Sequence, residues 1–364
     1  MTDFIRLGIP QRLILAATAT ALLYSTAGCG EDSDPLDSAQ PPAPEIGGIS
    51  IMHVARVEVD ETGEDVDEGV MTLDLSVVDA GGTPVSDPAE VAVRVWETPE
   101  TTGERGLVFE WQGAAAVAAS PELRLFAAPK AQDDKDRGKV EKRRPKLHVA
   151  LVLDRSGSLN ADEEGSMESS ALAVLDQLSS NDKVSVINFS TNYTVDASFR
   201  GSQSQAIRDA IISPSVTSGW TRMYDAVVSG ISGADGESRG KDDQGAVVVI
   251  TDGEDNRSDA TVGDAIASAQ GADTPVFVVG LADASDPSDL NSGELTRLAD
   301  ETGGRFLRTV SADFLSPIML SVVGGLAEQL EVEYTSPNVG VPREVEVEVS
   351  ARGTTRTATR KVKD

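Results

Sequence analysis

Asp154-Arg155-Ser156-Gly157-Ser158 puts one carboxylate and two hydroxyls into a single short turn, directly after the apolar run Leu147–Leu153. A second carboxylate, Asp252, follows the apolar run Ala246–Ile250, and Thr221 stands after Gly219-Trp220, just ahead of a helix expected over Met223–Ile231. Continuous apolar runs of this length read as strands buried on both faces, and loops at the carboxyl ends of such strands form the ligand crevice of a doubly wound sheet. Asp154, Asp252, Ser156, Ser158 and Thr221 would meet in that crevice as an all-oxygen donor set. Oxygen donors suit a hard divalent cation, Mg²⁺ above all, with Mn²⁺ or Ca²⁺ as alternatives. A single Cys excludes a cysteine-based zinc site, and the two histidines, His53 and His148, each sit alone inside a strand pattern rather than as metal ligands.

The elements that must position these residues span 146–330. Strands are expected at Leu147–Leu153, Lys183–Phe189, Ala246–Ile250, Pro275–Val279 and Arg305–Arg308. Helices are expected at Glu163–Leu178, Gln205–Ile212, Met223–Ile231, Thr261–Gln270, Glu294–Glu301 and Phe314–Leu330. This alternation makes an α/β fold, Rossmann-like and doubly wound, with a mostly parallel central sheet and helices on both faces. Ahead of it, residues 48–128 alternate apolar and polar, as in Val70-Met71-Thr72-Leu73-Asp74-Leu75, with turn residues at Gly81-Gly82-Thr83-Pro84. Further strands at Met52–Val59, Val91–Trp96, Leu107–Trp111 and Leu123–Phe126 complete an expected all-β, sandwich-like domain. Residues 331–364 return to alternation and are expected as a C-terminal hairpin packing on the β-domain, because two isolated strands are marginally stable in water. Residues 129–145 are densely charged and read as a solvated linker.

Arg6 and Arg12 precede the uncharged run Leu13–Tyr24 and the small residues Ser25–Gly28, the pattern of a signal peptide over 1–28 that is too short for a permanent membrane span. Thr26-Ala27-Gly28-Cys29 resembles the bacterial lipobox, which makes Cys29 the expected lipidation site. Residues 29–47, acidic and rich in Pro, read as a flexible tether. The expected location is the cell envelope, exported and held at the membrane by a lipid anchor, on the periplasmic or the cell-surface side.

Asp154-x-Ser156-x-Ser158, with Thr221 and Asp252, resembles the metal-ion-dependent adhesion site (MIDAS) of von Willebrand factor A domains. Met223-Tyr224-Asp225-Ala226-Val227, Thr251-Asp252-Gly253-Glu254-Asp255-Asn256 and Leu298–Phe306 add to the likeness, which covers residues 146–330. It implies that Ser156, Ser158 and Thr221 meet the metal directly, that Asp154 and Asp252 do so directly or through water, and that a carboxylate from a protein partner completes the coordination. The family usually has a small residue where Trp220 stands and a Met where Leu159 stands. Trp220 is thus a candidate partner contact at the rim, or else it packs over the adjacent helix. Asp225 is a candidate to support the ligands from behind, whereas Asp255 and Asn256 read as turn residues.

With 31 Lys and Arg against 60 Asp and Glu in 364 residues, the net charge of −29 speaks against nucleic acid or a bare anionic membrane as partner. The expected function is that of a bacterial cell-envelope lipoprotein, not an enzyme, whose α/β domain binds a protein ligand through the metal and an Asp or Glu of that partner. Two other readings compete. In one, the metal only stabilises the domain. In the other, Asp154 and Asp252-Gly253-x-Asp255 faintly resemble Mg²⁺-dependent aspartate-nucleophile phosphohydrolases, but their first motif needs a second Asp where this chain has Ser156.

Overall fold

The computed structural model describes residues 43–57, 69–119, 138–238, 240, 242–283, 290–338 and 340–362. The signal segment, Cys29, most of the tether and the strand expected at Leu123–Phe126 lie outside them. Five strands come first: β1 (Gly48–Val57), β2 (Gly69–Val78), β3 (Val91–Pro99), β4 (Gly106–Gln112) and β5 (Lys139–Arg143), with a short α1 (Ala114–Ala119) between the last two. The α/β region follows as β6 (Lys146–Asp154), α2 (Ala161–Gln177), β7 (Lys183–Phe189), β8 (Tyr193–Gly201), α3 (Gln205–Ile212), α4 (Met223–Glu237) and β9 (Asp243–Thr251). It ends with α5 (Val262–Gly271), β10 (Val276–Leu281), α6 (Ser292–Thr302), β11 (Phe306–Thr309) and α7 (Leu315–Ala327). Three strands close the chain: β12 (Gln329–Ser336), β13 (Arg343–Ala351) and β14 (Thr354–Val362).

Alternation builds the β-region. Leu73 and Leu75 of β2, Val93 and Val95 of β3, Leu330 and Val332 of β12, and Val345 and Val347 of β13 all enter one core. They come from two antiparallel sheets, ordered β1-β2-β12-β5 and β14-β13-β3-β4, which are packed as a sandwich. An ion pair with no exposed side-chain surface, Arg343 to Glu97 at 3.1 Å, joins β13 to β3. Glu97 also accepts hydrogen bonds from Tyr334, Ser336 and Asn338, so a charge that would be costly if left unpaired is fully ligated.

Continuous apolar runs build the second region. Its sheet runs β11-β10-β9-β6-β7-β8, parallel throughout except for the antiparallel edge strand β8. Leu147, Val149, Leu151 and Leu153 of β6 pack in a core with residues of α2, α3 and α7, while Ala150 and Val152 pack in a second core with α4, α5 and α6. Period-two side-chain direction thus explains why an unbroken apolar strand needs helices on both faces. Helix α7 is buried nearly all round because it also packs against β2. A side chain at Gly325 would stand 2.3 Å from Ser76 Oγ on that strand.

The chain enters this region from β5 and leaves it into β12, and these two strands are neighbours, with Val140 opposite Val332 and Arg143 opposite Gln329. Two expectations need correction here. The stretch 129–145, read as a linker, contains β5: Val140 is its inward residue, and Lys139 and Lys142 pair with Glu333 and Glu328 of β12 or its approach. A half-exposed strand needs only every second residue to be apolar, so charge density hid it. The C-terminal segment holds three strands rather than a two-stranded hairpin, the first of them starting at Gln329, inside the stretch expected as helix.

Candidate metal centre

β6 is flanked by β7 on one side and β9 on the other, so the chain reverses its direction of winding between β6 and β9. That switch point opens a crevice at the carboxyl ends of the two strands. Asp154 is the last residue of β6, and Asp252 follows the last residue of β9. Asp154 is fully buried; one carboxylate oxygen accepts the Ser156 N–H at 2.8 Å and the other the Thr251 hydroxyl at 2.6 Å. The Ser156 and Ser158 hydroxyls lie 3.0 Å apart, and both point to Asp252 Oδ1, at 3.4 and 2.9 Å. Four of the five sequence-predicted ligands therefore meet through direct contacts.

The fifth, Thr221, is buried at the start of α4. Its loop is tied to the Asp-x-Ser-x-Ser turn by Ser218 N–H to Arg155 carbonyl at 2.6 Å and Gly157 N–H to Gly219 carbonyl at 3.2 Å. Asn256 clamps Thr221 from the other side, accepting its N–H at 2.9 Å and donating its own N–H to the Thr221 carbonyl at 3.0 Å. Asp255 caps α4, accepting from Met223 N–H at 2.7 Å and Tyr224 N–H at 3.1 Å. Asn256 is thus spent on backbone groups, and Asp255 on backbone groups and the Ser258 hydroxyl at 2.6 Å. Asp225 is held by Arg222 and by the N–H groups of Asp259 and Ala260.

Sequence reasoning missed Arg155, which lies between two ligands. Its side chain is buried, donating to Asn188 at 3.0 Å, Glu164 at 3.0 Å, Glu168 at 2.8 Å and the Ile211 carbonyl. Its backbone N–H bonds the Phe189 carbonyl at 2.7 Å. The signal for it was present: Glu164 and Glu168 are one turn apart on α2 and face a common neighbour.

Burial pushes the Asp154 carboxyl above its ordinary range. Burial, and then the charge of Asp154, push Asp252 up to about 7. Side by side, with neutral hydroxyls as their neighbours, the two carboxylates ionise less readily, and a nearby positive charge would favour their charged forms. Among the described residues, no group of three or more His, Cys, Asp or Glu side chains is placed to hold a metal ion. His148 lies at the far end of β6, about 20 Å from Asp154 at strand spacing. It is fully buried with its Nε2 3.5 Å from Asp243, and burial holds it below the ordinary imidazole range. The side chain of His53 lies outside the described residues.

The sequence model of the von Willebrand factor type A domain matches residues 148–318. An uncharacterized protein of Synechocystis sp. is 31% identical over 147 residues, 40% of this chain; the chain spans 33% of that relative's length. Among solved structures, a von Willebrand factor type A protein from Catenulispora acidiphila aligns at a TM-score of 0.44 and 13% identity, over 64% of this chain and 75% of its own. BatB from Bacteroides thetaiotaomicron aligns at 0.41 and 19%, over 49% of this chain and 98% of its own. Proximal thread matrix protein 1 from the mussel byssus, with a zinc-occupied MIDAS motif, aligns at 0.44 and 20%, over 52% of this chain and 49% of its own. Over residues 148–318, then, the chain is similar to the von Willebrand factor type A domain, whose model matches it there.

Proposed function

We propose that Asp154, Ser156, Ser158, Thr221 and Asp252 hold a divalent cation, Mg²⁺ first, and that the domain uses it to capture an Asp or Glu side chain of a protein partner. The reading is carried by the convergence of both serine hydroxyls on Asp252 beside the buried Asp154. A bound cation supplies a Lewis-acidic position that a carboxylate can fill with a charge-assisted contact. The residues of this chain set the geometry: Asp154 orients the turn through the Ser156 N–H, and Asn256 fixes Thr221. The role is binding, not catalysis. The chain acts at the cell envelope, exported and anchored through a lipid on Cys29, which intact mass and detergent partitioning of native protein would test. A mature N-terminus elsewhere, without acyl mass, removes the anchor.

Titration calorimetry with Mg²⁺, Mn²⁺ and Ca²⁺ tests the site. One binding event is expected for the wild type and none for Ser156→Ala or Asp252→Asn, with circular dichroism unchanged. Pull-down from envelope extract with and without chelator then tests capture. Equal metal uptake by the variants, or partner binding indifferent to chelator, overturns the proposal.

A further inference from the structure

Three sheet edges meet at the end of the central sheet opposite the metal centre. β1 and β14 are edge strands of the two sandwich sheets, and β11 is an edge strand of the central sheet. β11 runs parallel to β10, β9 and β6, so Arg305, just ahead of it, lies at the amino ends of these strands, whereas Asp154 and Asp252 lie at the carboxyl ends. Between the three edges and the end of α6 is a cavity of about 440 Å³, lined by Ser50, Asp300, Arg305 and Arg356 together with neighbouring residues of β1 and β14.

Arg305 is built into this wall. A side chain at Gly48 would stand 2.2 Å from its Cζ, so the guanidinium can lie against β1 only because that residue is glycine. Its two terminal nitrogens donate to the Ile46 and Gly47 carbonyls at 3.0 and 2.9 Å, which leaves three of the five guanidinium N–H groups. Among the described residues no carboxylate lies within 4.0 Å of it, and Glu45 and Asp300 act on it through their charge alone. Arg360, which caps the next carbonyls of β1 at Ile51 and Met52, is by contrast paired with Asp273 at 2.6 Å. Burial, and then the charge of Arg356, push Arg305 down to about 10, so it keeps its own charge at neutral pH. Arg356 is bound to Glu45, whose side chain is 70% exposed, and an ion pair so open to water holds its partners weakly. The buried Ser50 hydroxyl has only a 3.5 Å contact, to the Gly304 carbonyl. Asp300 is the acid in the lining, and burial pushes its carboxyl up, towards the neutral form.

We propose that this cavity binds a small soluble phosphate monoester, its phosphate held between Arg305 and Arg356 and its organic part occupying the rest of the space along β14. Guanidinium forks match phosphate oxygens in pairs, and such charge-assisted bonds are the strong ones. The phosphate would give Arg305 the counter-charge that no carboxylate supplies, and it would take Arg356 from Glu45. The volume falls within the roughly 300–1,000 Å³ of small-molecule sites, which favours an ester over a bare ion. A phosphate in a bilayer surface is disfavoured, because a chain of net charge −29 is repelled by an anionic membrane. The site needs no metal and is separate from the centre at Asp154.

The test is titration calorimetry of full-length protein with glycerol phosphate at low salt, in chelator so that no metal ion takes up the ester. Binding at a single site is expected for the wild type. Arg356→Gln should weaken it by about tenfold, the loss of one charge-assisted contact. Glu45→Gln, which frees Arg356, should tighten it by about two- to fivefold. Arg305→Gln should abolish it with circular dichroism unchanged; should that variant fail to fold, the opposite shifts of Arg356→Gln and Glu45→Gln decide. Inorganic phosphate is expected to bind more weakly than the ester, and vesicles of phosphatidic acid are expected not to bind. Wild type that takes up no ester in chelator, or Arg356→Gln and Glu45→Gln that bind it with wild-type affinity, overturns the proposal. Inorganic phosphate binding as tightly as the ester, or binding to the vesicles alone, overturns it as well, the first by leaving only a contact for a bare anion and the second by moving the ligand to a lipid headgroup.

Discussion

Arg155 is the residue on which the candidate centre turns, although it contributes no ligand. It binds α2 through Glu164 and Glu168, β7 through Asn188, and the end of α3 through the Ile211 carbonyl, so the turn holding Asp154, Ser156 and Ser158 cannot shift without breaking buried bonds. Arg155→Met should cost about 2–3 kcal/mol by urea denaturation, below the range for fully buried pairs because both carboxylates are partly solvated. It should also weaken metal uptake, which a purely distant stability defect would leave alone once the protein is folded. A second charge acts on stability through pH. Asp74 pairs with Arg143, yet burial outweighs that pairing and pushes Asp74 up to about 6. The folded state therefore holds this proton where the unfolded chain, with a carboxyl near 4, has released it. Stability from Asp74 is complete below about pH 4, falls as pH rises to about 6, and is flat above. Measured by urea denaturation at several pH values, wild type minus Asp74→Asn should decline across that window by at most about 1.4 kcal/mol per pH unit. A flat difference would show that Asp74 ionises normally in the fold.

At the scale of elements, two helix starts frame the site by different means. α2 caps itself: Asn160 accepts from the N–H groups of Asp162 and Glu163, and the Glu163 side chain returns to the Asn160 N–H, a reciprocal pair two residues after Ser158. α4 has no cap of its own, and Asp255 from the loop after β9 does the work. That borrowed cap ties Thr221 and Asp252 to one loop. Asp255→Ala should therefore lower stability by about 1–2 kcal/mol and raise the metal concentration needed for half-saturation, whereas Asn160→Ala should cost about 1 kcal/mol. Thermal denaturation with and without Mg²⁺ separates the two, since only the first variant should lose part of the metal-induced gain.

For the whole molecule, strands distant in sequence share one sandwich. β13 lies beside β3, and β12 lies between β2 and β5. Deleting residues 331–364 removes β13, β14 and most of β12, including Val332, Tyr334, Val345, Val347 and Val349 from the core. It also strips Glu97 of Arg343, Tyr334, Ser336 and Asn338. Residues 48–119 should then lose hydrogen-exchange protection. Unchanged protection in β2 and β3 would mean that they fold without the C-terminal strands.

What the sequence determined by itself was whatever depends on near neighbours. The buried strands at Leu147–Leu153 and Ala246–Ile250 show in unbroken apolar runs, and the helix from Gln205 to Ile212 shows in its periodicity. The ligand types show in Asp154-x-Ser156-x-Ser158, because one turn holds all three. Tertiary structure decided what depends on distant partners. β5 is a strand because β12, nearly two hundred residues later, pairs with it and sets Val332 opposite Val140. β8 is an antiparallel edge because β7 turns straight back on itself, a choice its own alternation of Tyr193, Val195 and Ala197 does not dictate. Asn256 and Asp255 looked like ordinary turn residues, and only the approach of the α4 start gives their side chains the Thr221 and Met223 amides to hold. The exposure of Trp220 belongs to the same class. Its residue type favours burial, and it stays in solvent because a left-handed Gly219 and the hydroxyl of Thr191 hold its backbone at the rim.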